Sequence, residues 1–367
     1  MNRPVLNMLA VVTTICIMIA CTNVGESSSV SEVTMPEQVS ESALSEFVSE
    51  VELLTLSSEA FFGEAVDMEK LENSYLFADR RGVAVWHFAD DGSLICPIGH
   101  KGKGPSEYIS VDNIQVAGDR VIVYSQGGKV SEFDLAGKLI STSEISGLGN
   151  QSYKVGDQYL TYRGYLRSGD SRLQLISQSS VIEDYLVTDN AVMPLSKISP
   201  IFEETKSGVA VLDSWSPVVY QYHMGELQEY LRFNFGKYSI GEDFFNSANP
   251  MEGVMSLMKS QYAIISKYFE SDRAKIVEVD VVTSGRINKR YAYTRGSDWR
   301  WFSLGTPGNS PMAGGLVGID EDYLYILLNP MHIDDLDESI KSKITNPDVL
   351  DNVDEEGNYI LAKLEYI

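Results

Sequence analysis

The pattern that most limits the fold is a recurring strand, turn, strand unit punctuated by glycine. β-rich runs at 74–78, 83–88 and 94–98 are separated by 79–82 and by Asp90-Asp91-Gly92. The theme returns at 121–124, 130–133 and 139–142, with Ala136-Gly137 at the turn, and at 218–222 and 227–233 around Met224-Gly225. An Asp-Gly pair between such runs signals a hairpin, because a type I′ turn needs positive φ. Gly92, Gly137 and Gly225 space the turns at one and then about two periods of roughly 45 residues, the interval of multi-strand propeller blades. Residues 159–165 and 173–176 are expected to form a more divergent blade. Strands resume at 262–269, 275–282, 289–293, 316–319, 323–328 and 359–366. The expectation is an all-β chain of four-stranded antiparallel blades. Residues 51–56 are placed to pair with the C-terminal strand and remove the free edge.

Residues 98–108 read Ile-Gly-His-Lys-Gly-Lys-Gly-Pro-Ser-Glu-Tyr. Three glycines and a proline in so short a span exclude helix and regular strand, so a shaped crossing between blades is expected. A phosphate loop is excluded because Pro105 stands where its lysine should be. The dinucleotide fingerprint fails because Gly102 and Gly104 lack their third glycine.

Ile98, Gly99, Gly102, Gly104, Pro105, Glu107 and Tyr108 resemble the Ile-Gly-x-x-Gly-x-Gly-Pro-x-Glu-Tyr signature of six-bladed β-propeller lipoproteins of Gram-negative bacteria, which are NHL-like or TolB-like in fold. A second match is Phe233-Asn234-Phe235-Gly236-Lys237-Tyr238, followed by Phe244-Phe245, with Asn234 for the usual Asp. The two matches stand in family order, so the resemblance covers most of 51–367. It implies six blades and transfers no catalytic residue.

Residues 1–20 read as a lipoprotein signal peptide: Arg3, an apolar run through 11–20, then Met18-Ile19-Ala20-Cys21, which is similar to a lipobox. Cys21 is expected to carry lipid and hold the protein to a membrane. The apolar run is too short for a spanning helix of about 20 residues. Residues 21–49, rich in Ser, Glu and Val, are expected to be a flexible tether, with the propeller filling 50–367. The expected address is the cell envelope, lipid-anchored at the outer membrane, facing the periplasm or the surface. Cys16 lies in the leader, so Cys96 is left without a partner for an internal disulfide. It reads as a small buried hydrophobe.

The net charge of −23 disfavours nucleic acid and anionic membrane surfaces as partners. Candidate sites are few. Trp299, Trp301 and Phe302 could stack a sugar or peptide group, or pack between blades. Met251, Val254, Met255 and Met258 follow at i, i+3, i+4 and i+7 after Asn249-Pro250, an amphipathic helix expected to face the core, with an adaptable lid as the alternative. The acidic stretch 332–357 reads as a solvated loop, without EF-hand spacing. His87, His100, His223 and His332 are scattered, so no metal and no cofactor is expected, although they could converge at a central channel.

The leading functional reading is a binding module for a protein, peptide or glycan. The alternatives are a lyase or hydrolase at the channel, with converging carboxyls or histidines, and a structural partner in an envelope assembly.

Overall fold

The β-rich runs pair with their sequence neighbours into six antiparallel sheets, each the blade of a propeller. The computed structural model describes residues 30–39, 46–60, 63–163, 169–187, 200–247, 249–303, 315–336 and 338–367. The leader and Cys21 lie outside them.

Blade 1 runs from its inner strand Ala65–Leu71 through Ser74–Asp79 and Ala84–Ala89 to Leu94–Pro97. Blade 2 is Asn113–Ala117, Arg120–Ser125, Lys129–Asp134 and Leu139–Glu144. Blade 3 is Gln151–Val155, Gln158–Tyr162, Ser171–Ser177 and Ser180–Val187. Blade 4 comprises Phe202–Thr205, Gly208–Leu212, Val218–His223 and Glu226–Asn234. Blade 5 comprises Tyr262–Glu270, Lys275–Thr283, Arg286–Thr294 and Arg300–Phe302. Blade 6 takes Gly315–Ile319, Tyr323–Leu328 and Ile360–Tyr366 from the C-terminal part of the chain, and its outer strand Val48–Thr55 from the N-terminal part. The two ends of the chain therefore close the ring in one sheet.

Each seam between blades holds its own apolar cluster. Leu76, Val85, Tyr108, Val121 and Phe133 fill the seam of blades 1 and 2. Leu160, Leu173, Val209 and Val211 fill that of blades 3 and 4. Stability is thus distributed around the ring.

The turns depart from the expected type. At 90–93 and 134–138 the glycine alone is left-handed, with φ of 81° at Gly92 and 77° at Gly137. These are longer loops ending in a left-handed glycine, with register shifts in the adjoining strands. The reason lies in the neighbouring blade: a Cβ on Gly92 would collide with Thr55 O, and one on Gly137 with Pro97 O. In blades 1 and 2 the glycine marks where the third turn lies against the outer strand of the blade before it. A Cβ on Gly225 meets nothing within 4 Å, so that turn lacks the contact.

The stretch read as tether is partly built into the propeller. Ser31–Thr34 pairs parallel with Leu231–Asn234, adding a fifth strand to blade 4. Val33 is 2% exposed and Met35 6%, both in the seam of blades 4 and 5. Arg290 donates to Pro36 O at 2.9 Å and fixes the strap's far end.

The acidic stretch 332–357 also differs from a solvated loop. It contains the helix Glu338–Lys341 and the 3-10 turn Pro347–Asn352. Ile333, Leu336, Ile340 and Ile344 bury their side chains against blades 5 and 6.

Candidate functional site

The inner strand of each blade is paired on one side only, so its other edge needs partners for backbone groups. Side chains of the preceding blade supply them. Asn113 accepts Ser152 N–H at 3.2 Å and donates to Ser152 O at 2.9 Å. Two residues on, Gln115 accepts Lys154 N–H at 2.9 Å and donates to Lys154 O at 3.1 Å. Gln151 accepts Ile201 N–H at 2.7 Å, joining blades 3 and 4. Lys267 donates to Leu316 O at 2.6 Å, joining blades 5 and 6.

Carboxyls do the same work at two seams. Ile114 N–H donates to Asp67 at 3.1 Å, and Val116 N–H to Glu69. Glu270 N–H donates to Glu203. These half-buried acids converge around the ring axis. Burial pushes Asp67 up to about 7 against the pull of the Ile114 and Met68 N–H groups. Burial also raises Glu69 well above the carboxylate range, helped by the charges of Asp67 and Glu204. Glu203 is raised by burial and then by Glu69 and Asp67.

Blade 5 holds a second buried polar group. Glu278 is 0% exposed and pairs with Lys289. Burial works to raise it, but the charges of Lys267 and Lys289 more than offset this and leave it lowered.

The signature residues form the crossing from blade 1 to blade 2. His100–Lys101 and Glu107–Tyr108 make a short parallel bridge, with Gly102 N–H donating to Tyr108 O at 3.0 Å. Gly104 N–H donates to the Glu107 carboxylate at 2.7 Å across the turn containing Pro105. Lys129 Nζ ties Gly104 O and Glu107 O to blade 2 at 2.9 and 2.6 Å. Gly99 lies against the Tyr108 and Phe133 rings. These contacts tie the crossing to itself and to blade 2.

The aromatic cluster is divided. Phe302 is 1% exposed and stacked on Tyr291 at 5.2 Å, so it has no face to offer a ligand. Trp299 and Trp301 are half-buried, each edge-on to Phe233 of blade 4 at 5.9 and 6.3 Å.

The methionine helix reverses the expected facing. Pro250–Leu257 is capped by Asn249, whose side chain accepts Met251 N–H. Gly253 and Leu257 form its buried side, packed beside Trp215, Phe244, Tyr262 and Val282. Met251, Met255 and Met258 are 50%, 53% and 63% exposed. Sequence periodicity found an amphipathic helix, but of the four residues it marked as core only Val254 packs against that cluster, and the three methionines are open to solvent.

Among the described residues, grooves lie at two of the seams. One of about 420 Å³, between blades 3 and 4, is lined by Val155, Leu175, Val209, Tyr222, His223 and Met224. The other, about 510 Å³, lies between blades 6 and 1 and includes Thr55, Ser57, Asp91, Ser93, Asp354 and Asn358.

His87, His100 and His223 are not brought together, and the side chain of His332 lies outside those described. His87 is 5% exposed, bonded to Leu135 O through Nδ1 and to Ser74 Oγ through Nε2. The carbonyl only accepts, so Nδ1 carries the proton. His100 is exposed in the crossing from blade 1 to blade 2, and His223 is exposed in blade 4. Among the described residues no group of three or more His, Cys, Asp or Glu could hold a metal ion, and no helix is long and apolar enough to cross a membrane. Cys96 is half-buried, its thiol raised by burial and by Asp134.

The sequence missed the inter-blade acids because an alternating strand such as Ala-Val-Asp-Met-Glu-Lys-Leu reads as one apolar face and one solvated face. The matching i, i+2 pairs Asp67/Glu69 and Asn113/Gln115 were the available signal.

Comparison with solved structures agrees with the architecture. The chain superposes on a Bacteroides fragilis protein described as exported with a TM-score of 0.73, at 17% identity, covering 92% of this chain and 100% of that one. It superposes on a member of the DUF4221 family from Bacteroides vulgatus with a TM-score of 0.54, at 9% identity, covering 87% and 98%. At these identities the likeness shows the fold. No curated protein matches the sequence. A family profile described as a domain of unknown function, DUF4934, matches residues 29–365, and the chain belongs to that family.

Proposed function

We propose that the protein is an extracytoplasmic binding module, held to the cell envelope by lipid on Cys21, that engages a protein or peptide partner through the methionine face of Pro250–Leu257. The observation that carries this reading is the exposure of Met251, Met255 and Met258 on one helix whose opposite side is packed. Contiguous exposed apolar side chains mark interaction surfaces, and unbranched thioethers adapt to varied partners. The leader-like residues 1–20 and the likeness to a protein described as exported support the address. For a glycan ligand, the half-exposed Trp299 and Trp301 supply the stacking surface instead.

The test is a photo-crosslinking amino acid at Met255 in cells. A discrete adduct that disappears in the Met251→Ser/Met258→Ser background, with the thermal midpoint unchanged, supports the reading. Labelling no greater than at the exposed Ile140 of blade 2 sinks it. Mass spectrometry of the mature N-terminus tests the anchor separately, and an unmodified Cys21 thiol would refute it.

A second reading, a hydrolase or lyase at the channel, is favoured by the raised carboxyls of Asp67, Glu69 and Glu203. Turnover of a glycan or peptide panel that is lost in Glu69→Gln would select it.

A further inference from the structure

Asp67 and Glu69 occupy, on the inner strand of blade 1, the stations that Asn113 and Gln115 occupy on that of blade 2. Each pair is a short side chain followed two residues later by a longer one. Each pair reaches alternate residues of the next inner strand: 114 and 116 in one case, 152 and 154 in the other. The amides use both halves, accepting an N–H and donating to the carbonyl of the same residue. A carboxyl can do this only when protonated, because an ionised one accepts and cannot donate.

The surroundings favour the protonated form. From blade 4, Glu203 and Glu204 face the pair, and Glu270 of blade 5 faces Glu203. From blade 3, the Tyr153 hydroxyl donates to Glu204 at 2.8 Å and lies in the field of Glu69. Lys275 pairs with Glu270 at 3.4 Å. Blade 6 contributes Gly318, which lies against Met68 and brings no charge.

We propose that Asp67 and Glu69 close the seam between blades 1 and 2 as neutral carboxylic acids, standing in for the amides one seam on. Loss of their protons as pH rises loosens that seam, so the pair is a pH-sensitive latch at the channel wall. Both acids hold protons more tightly folded than unfolded. The folded state therefore carries excess protons above the ordinary carboxylate range, about 4, up to about 7 at Asp67, with Glu69 raised in the same direction, and stability falls as pH rises through that window.

The experiment compares the full chain with Asp67→Asn/Glu69→Gln by urea denaturation at about pH 5 and about pH 8, either side of the window. The wild type is expected to lose midpoint on going to the higher pH. The amide variant is expected to lose less than half as much and to be the more stable protein there. Parallel pH profiles overturn the proposal. Should the double variant fail to fold, infrared spectroscopy of the wild type decides: a protonated-carboxyl band is expected at neutral pH and is gone in alkali. Absence of that band at neutral pH also overturns the proposal.

Discussion

The Tyr108 hydroxyl donates to Ile98 O at 2.8 Å and accepts Val85 N–H at 3.0 Å. One side chain from the blade crossing thus completes the backbone hydrogen bonding of Val85 and Ile98, a pair already joined by Ile98 N–H to Val85 O at 2.8 Å. Tyr108→Phe keeps the ring against Phe133 and strips both bonds. Leaving buried backbone groups unpaired costs about 1–3 kcal/mol, so the urea midpoint should drop accordingly. A change within error would show that water replaces the hydroxyl.

Gly92→Ala and Gly137→Ala should destabilise far more than Gly225→Ala. All three glycines are left-handed, which costs an alanine about 1–2 kcal/mol. Only at the first two does the added Cβ also collide with a carbonyl of the neighbouring blade. Thermal midpoints of the three variants measure the difference, and equal losses would remove the inter-blade reading of the repeat.

The strap makes a sharper claim. Val33→Asp puts an unpaired charge in the seam of blades 4 and 5, where about 3 kcal/mol or more is expected to be lost. Glu32→Ala, on the exposed face of the same strand, should change little, because the Glu32 carboxylate accepts from Asn234 at 3.0 Å at the surface. Limited proteolysis should cut within residues 30–39 much faster in Val33→Asp, and equal cutting rates would mean that the strap adds nothing.

Glu278 sets a pH dependence opposite to that of the latch. Its folded carboxyl is lowered by Lys267 and Lys289 against its own burial. It therefore stabilises the fold above the ordinary carboxylate range, about 4, and that contribution is lost as pH falls through its lowered value. Glu278→Gln should lower the midpoint at neutral pH and flatten the acid limb of the stability profile. An unchanged acid limb would count against the buried ion pair.

Local chemistry explains what could be read from the chain. Gly92 and Gly137 announced turns because positive φ is a property of one residue, and their spacing gave the blades. The closing role of 51–56 followed from a β pattern at each end of the chain. The strap was not legible: Ser-Glu-Val-Thr is mostly polar, its only buried member is Val33, and its partner strand lies about two hundred residues away. The helix was legible as amphipathic but not in its orientation, since methionine is at home in a core and on a binding face alike. The role of Asp67 and Glu69 was not legible either, because one-dimensional alternation cannot tell water from the backbone of the next blade.

Ring closure has a consequence for biogenesis. Ser49 bonds Glu365 across 316 positions of sequence, so one of the first strands to leave the ribosome waits for one of the last. Until Ile360–Tyr366 is in place, the sixth sheet lacks its third strand and Val48–Thr55 has nothing to pair with. A holding chaperone would have most to shield during that interval, and deletion of residues 360–366 alone should leave a ring that never seals.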